Sequence, residues 1–174
     1  MNLAVTAIGR DRPGIVAGLT GVLVDAGGNI DDSQMSILHG QFAVMLIVSV
    51  PDGTAVDGLR RDLDEAGRTL GLDAVTVCPV SELERGPNPT HVVTVYGADR
   101  PGIVHEAARV MAERNIDITD LKTRRTASGE GHLYTLMMEV AVEGDPSELE
   151  QAVSEMAAAT GVDASVTELE IEVI

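Results

Sequence analysis

The chain has 174 residues, a formal net charge of −16, 44% hydrophobic residues and only 2% aromatic residues. Such an acidic chain is repelled by a DNA phosphate surface, and the few aromatic rings offer little stacking surface for single strands. One cysteine excludes an internal disulfide, and the sequence contains no apolar run long enough to span a membrane. We therefore expect a soluble cytoplasmic protein that contacts neither membranes nor nucleic acid directly.

The first half of the sequence begins with a strand, a helix and a hairpin. Residues 2–8 are apolar and β-rich, and apolar positions in residues 15–26 recur at helical spacing. Two further strands, 30–38 and 41–50, predict a hairpin that turns at His39-Gly40. The alternation of apolar residues in the second of these strands indicates that one of its faces is buried.

A second helix and a final strand complete this half. Thr54 is a candidate N-cap for the helix, and Gly71 is the residue that would end it. Residues 74–78 then predict a strand that contains the cysteine, Cys78, which we interpret as a structural residue.

The second half repeats the first. The hexapeptide Asp11-Arg12-Pro13-Gly14-Ile15-Val16 recurs as Asp99-Arg100-Pro101-Gly102-Ile103-Val104, 88 residues later. The offset grows to about 91 or 92 after a longer hairpin loop at 127–131 in the second copy. The fourth helix of the chain is predicted to start at Asp145-Pro146-Ser147-Glu148, where Asp145 is the cap.

The predicted order in each half, strand-helix-strand-strand-helix-strand, is that of the ferredoxin-like α+β fold. It implies an antiparallel four-stranded sheet with two helices on one face. We place the domains at 1–80 and 90–174, with a linker at 81–89 that contains Gly86-Pro87-Asn88-Pro89. Pairing of edge strands would merge the two sheets into one of eight strands, an alternative that the sequence leaves open.

These motifs resemble the ACT domain. In the first copy, Gly9 and the hexapeptide follow the first strand, and Asn29-Ile30-Asp31-Asp32 precedes the second. The second copy has Gly97 and Asp117-Ile118-Thr119-Asp120 at the matching places. The resemblance covers nearly the whole chain and implies a regulatory module that binds a small effector, often an amino acid, at an interface between two ACT units.

The resemblance also implies which residues bind the effector. Carried over to this sequence, the acid of the first loop and the Asn before the second strand are Asp11 and Asn29, matched by Asp99 and Asp117. The full predicted set of ligand-binding residues is Asp11, Pro13, Gly14, Ile15, Asn29, Ile30, Asp99, Pro101, Gly102, Ile103, Asp117 and Ile118. Asp117 departs from the usual Asn, so the second site would favour a more cationic group.

The chemistry of the residues points to the same place. Pro13 suits the first position of a helix, where the N–H groups of Gly14, Ile15 and Val16 would attract an anion such as a carboxylate. Asp11 could accept from an ammonium group, and Asn29 could donate and accept, which suits a zwitterion. The simpler interpretation is that Asp11 only stabilises a helix start.

Three other features have weaker functional interpretations. We expect Arg12 and Arg100 to be solvated or paired with a nearby acid. The glycines Gly18 and Gly21 would either permit close helix packing or be tolerated at a loosely packed face. No spacing typical of metal ligands links the histidines, so we predict neither metal nor cofactor; they are His39, His91, His105 and His132.

We therefore predict a non-catalytic regulatory protein that senses an amino acid and signals to a protein partner or through a homo-oligomer, in transcriptional control of amino-acid metabolism. An alternative is a detached regulatory subunit of an amino-acid biosynthetic enzyme. A more remote alternative is a small acyl-phosphatase-like enzyme that uses Arg12 and Asn29. The sequence contains no evident nucleophile–base pair to support catalysis.

Overall fold

The computed structural model describes residues 1–128 and 131–169. The chain divides into two compact units, Met1–Glu84 and Arg85–Ile174. Unit 1 contains β1 (Asn2–Arg10), α1 (Ile15–Asp25), β2 (Asn29–Leu38), β3 (Gln41–Ser49), α2 (Val56–Leu70) and β4 (Leu72–Val80). Unit 2 contains β5 (His91–Ala98), α3 (Ile103–Ala112), β6 (Asp117–Ser128), β7 (Gly131–Ala141), α4 (Ser147–Thr160) and β8 (Asp163–Glu168).

Each unit has the predicted ferredoxin-like topology. The strand order is β2-β3-β1-β4 in unit 1 and β6-β7-β5-β8 in unit 2, and all neighbouring strands are antiparallel. In the described residues the strands thus form two sheets of four, and the merged sheet of eight is not adopted.

One face of each sheet is buried. Alternate residues of the central strands are inaccessible, and they share a core with the apolar stripes of both helices of the same unit. In unit 1 the core is centred on Leu3, Val5, Leu19, Leu46 and Leu63, each less than 5% exposed. Both helices of each unit pack on this face, so the opposite face carries no helix. Successive side chains of a strand alternate between the two faces.

The strand after the first helix contains the same bulge in both units. Ile30 pairs with Val48 and Asp32 with Ile47, which leaves Asp31 as the extra residue. The Asp31 carboxylate accepts hydrogen bonds from Asn29 Nδ2 at 3.0 Å and from Ser49 Oγ at 3.2 Å. In unit 2 the equivalent extra residue lies between Ile118 and Asp120.

Two local predictions need correction. Thr54 does not cap α2, because its hydroxyl donates to the Pro51 carbonyl at 2.7 Å within a turn, and the helix begins only after Ala55. The hairpin loop expected at 127–131 is mostly strand, since β6 extends to Ser128 and β7 begins at Gly131; Gly129 and Glu130 lie outside the described residues.

One helix-end prediction is confirmed and a second is confirmed in part. Gly71 ends α2 in the left-handed conformation, with φ 68°. The N-cap position of α4 is occupied by Pro146 and not by Asp145, but Asp145 accepts hydrogen bonds from the backbone N–H and the hydroxyl of Ser147, the first residue of the helix.

Candidate functional site

The repeated hexapeptide forms a tight turn ahead of the first helix of each unit. Gly14 has φ 96° and ψ −9°, and Gly102 has φ 97° and ψ −10°. These values match the third residue of a type II turn, which requires glycine and favours proline just before it. The helices therefore begin at Ile15 and Ile103, so Pro13 and Pro101 are turn residues and not, as predicted, the first helical residues.

The arginine of each hexapeptide fastens this turn to the second helix of its unit. Arg12 Nη2 donates to the Thr69 carbonyl at 2.7 Å, and Arg100 Nη1 donates to the Thr160 carbonyl at 3.3 Å. Both carbonyls lie in the last turn of a helix, where the partial charge is negative. Both arginines are exposed, as expected, and the group that each of them bonds is a backbone carbonyl instead of an acid.

A row of backbone N–H groups points out of the start of α1. The first hydrogen bond of the helix runs from Gly18 N–H to the Gly14 carbonyl at 2.9 Å. The N–H groups that precede Gly18 in the helix have no carbonyl one turn earlier to accept from them. Together with the helix dipole they make this end attractive to an anion.

In unit 1 the residues that carry these N–H groups line a pocket of about 340 Å³. The structure brings four of the predicted residues together there: Asp11, Pro13, Gly14 and Ile15. The far wall is formed by Met35 of β2 and Phe42 of β3, which the sequence analysis missed. Side chains alternate between the two faces along each strand, and Met35 and Phe42 are at positions that face the helices. The register of the predicted hairpin could have placed them there.

The pocket offers one group of atoms that attracts a negative charge and another that attracts a positive charge. The N–H groups favour a carboxylate, and the Asp11 carboxylate favours a cation. In the described part of the chain, no Lys, Arg or His side chain lies within ion-pair distance of Asp11. The arrangement can accommodate a small molecule with both charges and an apolar side chain.

Asn29 does not join Asp11 within the unit. Asn29 pairs with Ser49, which is opposite Asn2 on β1, whereas Arg10, just before Asp11, pairs with Gln41. The eight steps from Gln41 to Ser49 correspond to about 27 Å along the strand. Asp11 and Asn29 are therefore far apart within unit 1, and the same reasoning separates Asp99 from Asp117.

Asp99, the acid that begins the hexapeptide of unit 2, is in a different environment from Asp11. Arg125 Nη1 lies 3.4 Å from Asp99 Oδ2, and both side chains are partly exposed. The unit 1 residue in the same register position is Ile37, since Ile37 pairs with Phe42 as Arg125 pairs with Tyr134. This ion pair argues against the expected, more cationic ligand at Asp99, because a guanidinium already faces that carboxylate.

Asp117 lines a separate pocket of about 330 Å³ in unit 2. The charged residues of its wall are Arg114, Asp117, Glu143, Asp145 and Glu148. Four carboxylates against one guanidinium make this pocket acidic. Among the described residues, no group of three His, Cys, Asp or Glu side chains is arranged to hold a metal ion.

The predicted isoleucines differ in exposure. Ile15 and Ile103 are 2% and 4% exposed and belong to the cores, so they could offer a ligand their backbone N–H groups more readily than their side chains. Ile118 packs against the core of unit 2, and Ile30 is 37% exposed at the start of β2. Asn29 and Pro101 are exposed as well.

The arrangement does not assemble an arginine–asparagine catalytic pair in unit 1. Arg12 is engaged at the end of α2, and Asn29 lies at the opposite end of the sheet. None of the helices in the described residues is both long and apolar enough to cross a membrane.

The chain matches family models over most of its length. Residues 2–76 match one ACT domain model and residues 91–159 match another. A UPF0237 protein of Methanopyrus kandleri is 42% identical over 72 residues, which are 41% of this chain and 80% of the relative. The glycine cleavage system transcriptional repressor of Escherichia coli is 26% identical over 155 residues, which are 86% of this chain and 80% of the repressor.

The fold is also shared with a solved structure. An unknown protein from Galdieria sulphuraria superposes with a TM-score of 0.80 at 24% identity, covering 97% of this chain and 98% of that one. With a family match over each unit, the chain belongs to the ACT domain family and carries two ACT domains in tandem.

Proposed function

We propose that the chain is a non-catalytic cytoplasmic regulator that binds an amino acid and passes the bound state to a protein partner. The pocket at the start of α1 carries this proposal, because it sets backbone N–H groups beside the Asp11 carboxylate. A free amino acid has the matching pair of charges, a carboxylate and an ammonium, on one carbon. Met35 and Phe42 would contact its side chain.

Unit 1 is the better candidate for this ligand. Arg125 faces the loop acid of unit 2 and would compete with the ammonium group for Asp99, whereas Ile37 in unit 1 cannot. Because Asp11 and Asn29 lie at opposite ends of the sheet, the proposed ligand contacts Asp11 and not Asn29 of the same unit. To act as a regulatory signal, it must bind one conformation of the protein better than another.

The partner is proposed to be a protein. The relation to a transcriptional repressor supports a regulatory role. The net charge of −16 disfavours direct contact with DNA, so control of transcription would pass through another protein. Isolation of the chain in a complex with a biosynthetic enzyme, instead of a transcription factor, would favour the role of a detached enzyme subunit.

A thermal-shift screen against the twenty amino acids tests the ligand. We expect at least one to raise the melting temperature, because a ligand at 100 times its Kd adds about 2.7 kcal/mol of stability. Asp11→Asn should abolish the shift, because it removes the charge that the ammonium requires while keeping the size of the side chain.

The matched control is Asp25→Asn, at the exposed far end of the same helix, which should leave the shift intact. The proposal fails if no amino acid stabilises the protein. Assignment to unit 1 fails if Asp99→Asn, and not Asp11→Asn, removes the effect. Tight, salt-sensitive binding of the chain to duplex DNA would refute the indirect route to transcription.

A further inference from the structure

Large apolar side chains are exposed around the pocket at the start of α1. Val16 and Met35 line the pocket and are 44% and 46% exposed. Ile37 follows on the same strand, is 49% exposed, and pairs with Phe42 of the core. Because paired residues of neighbouring strands point to the same face, Ile37 also lies on the helix side of the sheet. Contact with an apolar ligand would remove these side chains from water, which is favourable.

The position of Ile37 is close to Asp11. The Asp11 N–H donates to the carbonyl of Gly40 at 2.8 Å, so the hexapeptide lies against the turn that joins β2 and β3. In unit 2, Arg125 has the register position of Ile37, and its guanidinium comes within 3.4 Å of the Asp99 carboxylate. A ligand whose ammonium binds Asp11 would therefore have its side chain near β2.

The equivalent positions of unit 2 carry polar side chains. By strand register and by the offset of 88 residues, the pairs are Met35 and Thr123, Ile37 and Arg125, Phe42 and Tyr134, and Ala17 and His105. Because both units have the same topology, the fold does not require apolar residues at these four positions. The apolar lining is therefore a property of the unit 1 pocket and not of the fold.

In the described part of the chain, the charged residues that line this pocket are Asp11 and Arg12. The Asp11 carboxylate is the group that would bind the ligand ammonium. The guanidinium of Arg12 is engaged at the end of α2, where it donates to the Thr69 carbonyl at 2.7 Å. A charged side chain on the ligand would thus lose its hydration against Val16 and Met35 without a charged partner, which is unfavourable.

We propose that the unit 1 pocket selects an amino acid with an aliphatic side chain, and that Met35 and Ile37 are the residues that determine this specificity. The inference rests on the proposed function, in which Asp11 and the N–H groups of α1 bind the two charges that all amino acids share. Selection among amino acids then depends on the side chain. Glycine offers Met35 and Ile37 no carbon atom to contact, and aspartate or lysine brings a charge to an apolar wall.

Isothermal titration calorimetry with single amino acids tests this selection. The probes are L-leucine, L-alanine, glycine, L-aspartate and L-lysine. One methylene in an apolar pocket changes binding by about 10- to 200-fold, and leucine has three more carbon atoms than alanine. Because Met35 and Ile37 are about half exposed, we expect the lower end of this range, with a Kd for leucine at least ~10-fold below that for alanine. Glycine, aspartate and lysine should bind more weakly than leucine.

Met35→Thr gives the unit 1 position the residue found in unit 2. It should raise the Kd for leucine by about 10-fold and change the Kd for alanine much less, because alanine has little side chain to lose contact. Ile37→Thr is a second variant with the same expected direction. The matched control is Thr123→Met, at the exposed equivalent position of unit 2, which should leave both constants unchanged. Circular dichroism would establish that each variant is folded.

The outcomes separate this inference from the proposed function. Equal constants for leucine and alanine, with binding abolished by Asp11→Asn, would overturn the selection and still support the amino-acid site. Tighter binding of glycine, aspartate or lysine than of leucine would also overturn the selection. A preference for leucine that both Met35→Thr and Ile37→Thr leave intact would refute the role of these two residues. If no amino acid binds, the proposed function and this inference both fail.

Discussion

Glycine and arginine residues give the repeated hexapeptide its shape. Gly14 and Gly102 adopt left-handed backbone angles that side chains with a Cβ tolerate poorly. Arg12 and Arg100 then fasten the two turns to helix carbonyls 57 and 60 residues further along the chain. The backbone N–H groups of the candidate site are thus positioned by bonds that do not involve the ligand.

Removing the arginine should loosen the turn. We expect Arg12→Ala to lower the free energy of unfolding by about 1 kcal/mol, a reduced value for a charged hydrogen bond because the side chain is exposed. Urea denaturation measures the change. Arg10→Ala, an exposed neighbour at the end of β1, is the control and should cost less. Equal losses for the two variants would contradict a specific role for the bond to Thr69.

The cap of α4 should make stability depend on pH. The hydroxyl and the backbone N–H of Ser147 donate to Asp145 and lower the pKa of its carboxyl below the usual 3.8. A lowered pKa in the folded state stabilises the protein above pH 3.8, and this contribution is lost as the pH falls through the folded value. Asp145→Ala should therefore melt at a lower temperature than wild type at pH 7, and the gap should close below pH 3.8.

Thermal melts from pH 7 to pH 3 check this dependence. Glu143→Ala is the control, because it removes a neighbouring exposed charge without removing the cap. A gap between wild type and Asp145→Ala that stays constant over the whole range would contradict the assigned cap.

The residues of the candidate site were only partly predictable. The hexapeptide located Asp11 and the helix start, because these positions are adjacent in sequence. The bond from Arg12 to Thr69 joins residues 57 apart, and no local pattern signals it. The separation of Asp11 from Asn29 could have been foreseen, since α1 carries the chain back along the sheet before β2 begins.

At the level of elements, α1 contains two glycines with different surroundings. A Cβ on Gly18 would lie 2.8 Å from Leu70 Cδ1, so α1 and α2 approach closely there. A Cβ on Gly21 would meet no atom within 4 Å. The prediction of close packing is therefore confirmed for Gly18, and the alternative of a tolerated glycine applies to Gly21.

This difference predicts opposite effects of alanine. Gly21→Ala should raise the free energy of unfolding by about 0.5–1 kcal/mol, because alanine loses less backbone entropy in a helix. Gly18→Ala should show no such gain, since Leu70 must move to admit the methyl group. Thermal and urea denaturation of both variants measure the effects. A larger gain at Gly18 would contradict the described packing.

The order of elements followed from periodicity alone. Apolar alternation and helical spacing depend on which face is buried, and both are visible in one sequence. The start of α2 was harder to predict from the sequence, because the Thr54 hydroxyl donates to an acceptor in the turn that precedes the helix. The bulge at Asp31 also escaped prediction, since pairing partners decide where an extra residue is accommodated.

At the level of the whole molecule, each unit has its own hydrophobic core. Both tyrosines of the chain, Tyr96 and Tyr134, are strand residues of unit 2. The chain contains no tryptophan, so tyrosine fluorescence reports unit 2 alone, whereas circular dichroism reports both units.

Separate cores should produce separable unfolding. Leu63→Ala removes a fully buried side chain of unit 1 and should cost about 2–5 kcal/mol. We expect part of the dichroism transition to move to lower urea while the tyrosine transition stays in place. Leu149→Ala, at 1% exposure in unit 2, should instead move the tyrosine transition. A tyrosine shift in Leu63→Ala would show that the two cores unfold as one.

The two arginine-held turns have a consequence for how such sequences are interpreted. Because the chain's own carbonyls hold both turns, a copy that has lost its effector would still be selected to keep the arginine, proline and glycine that build the turn. A search based on the arginine, proline and glycine of the hexapeptide would then count folded turns, not functional receptors. Positions that face the turn without building it, such as Ile37 and Arg125, are the ones whose changes would record a gain or loss of specificity after duplication.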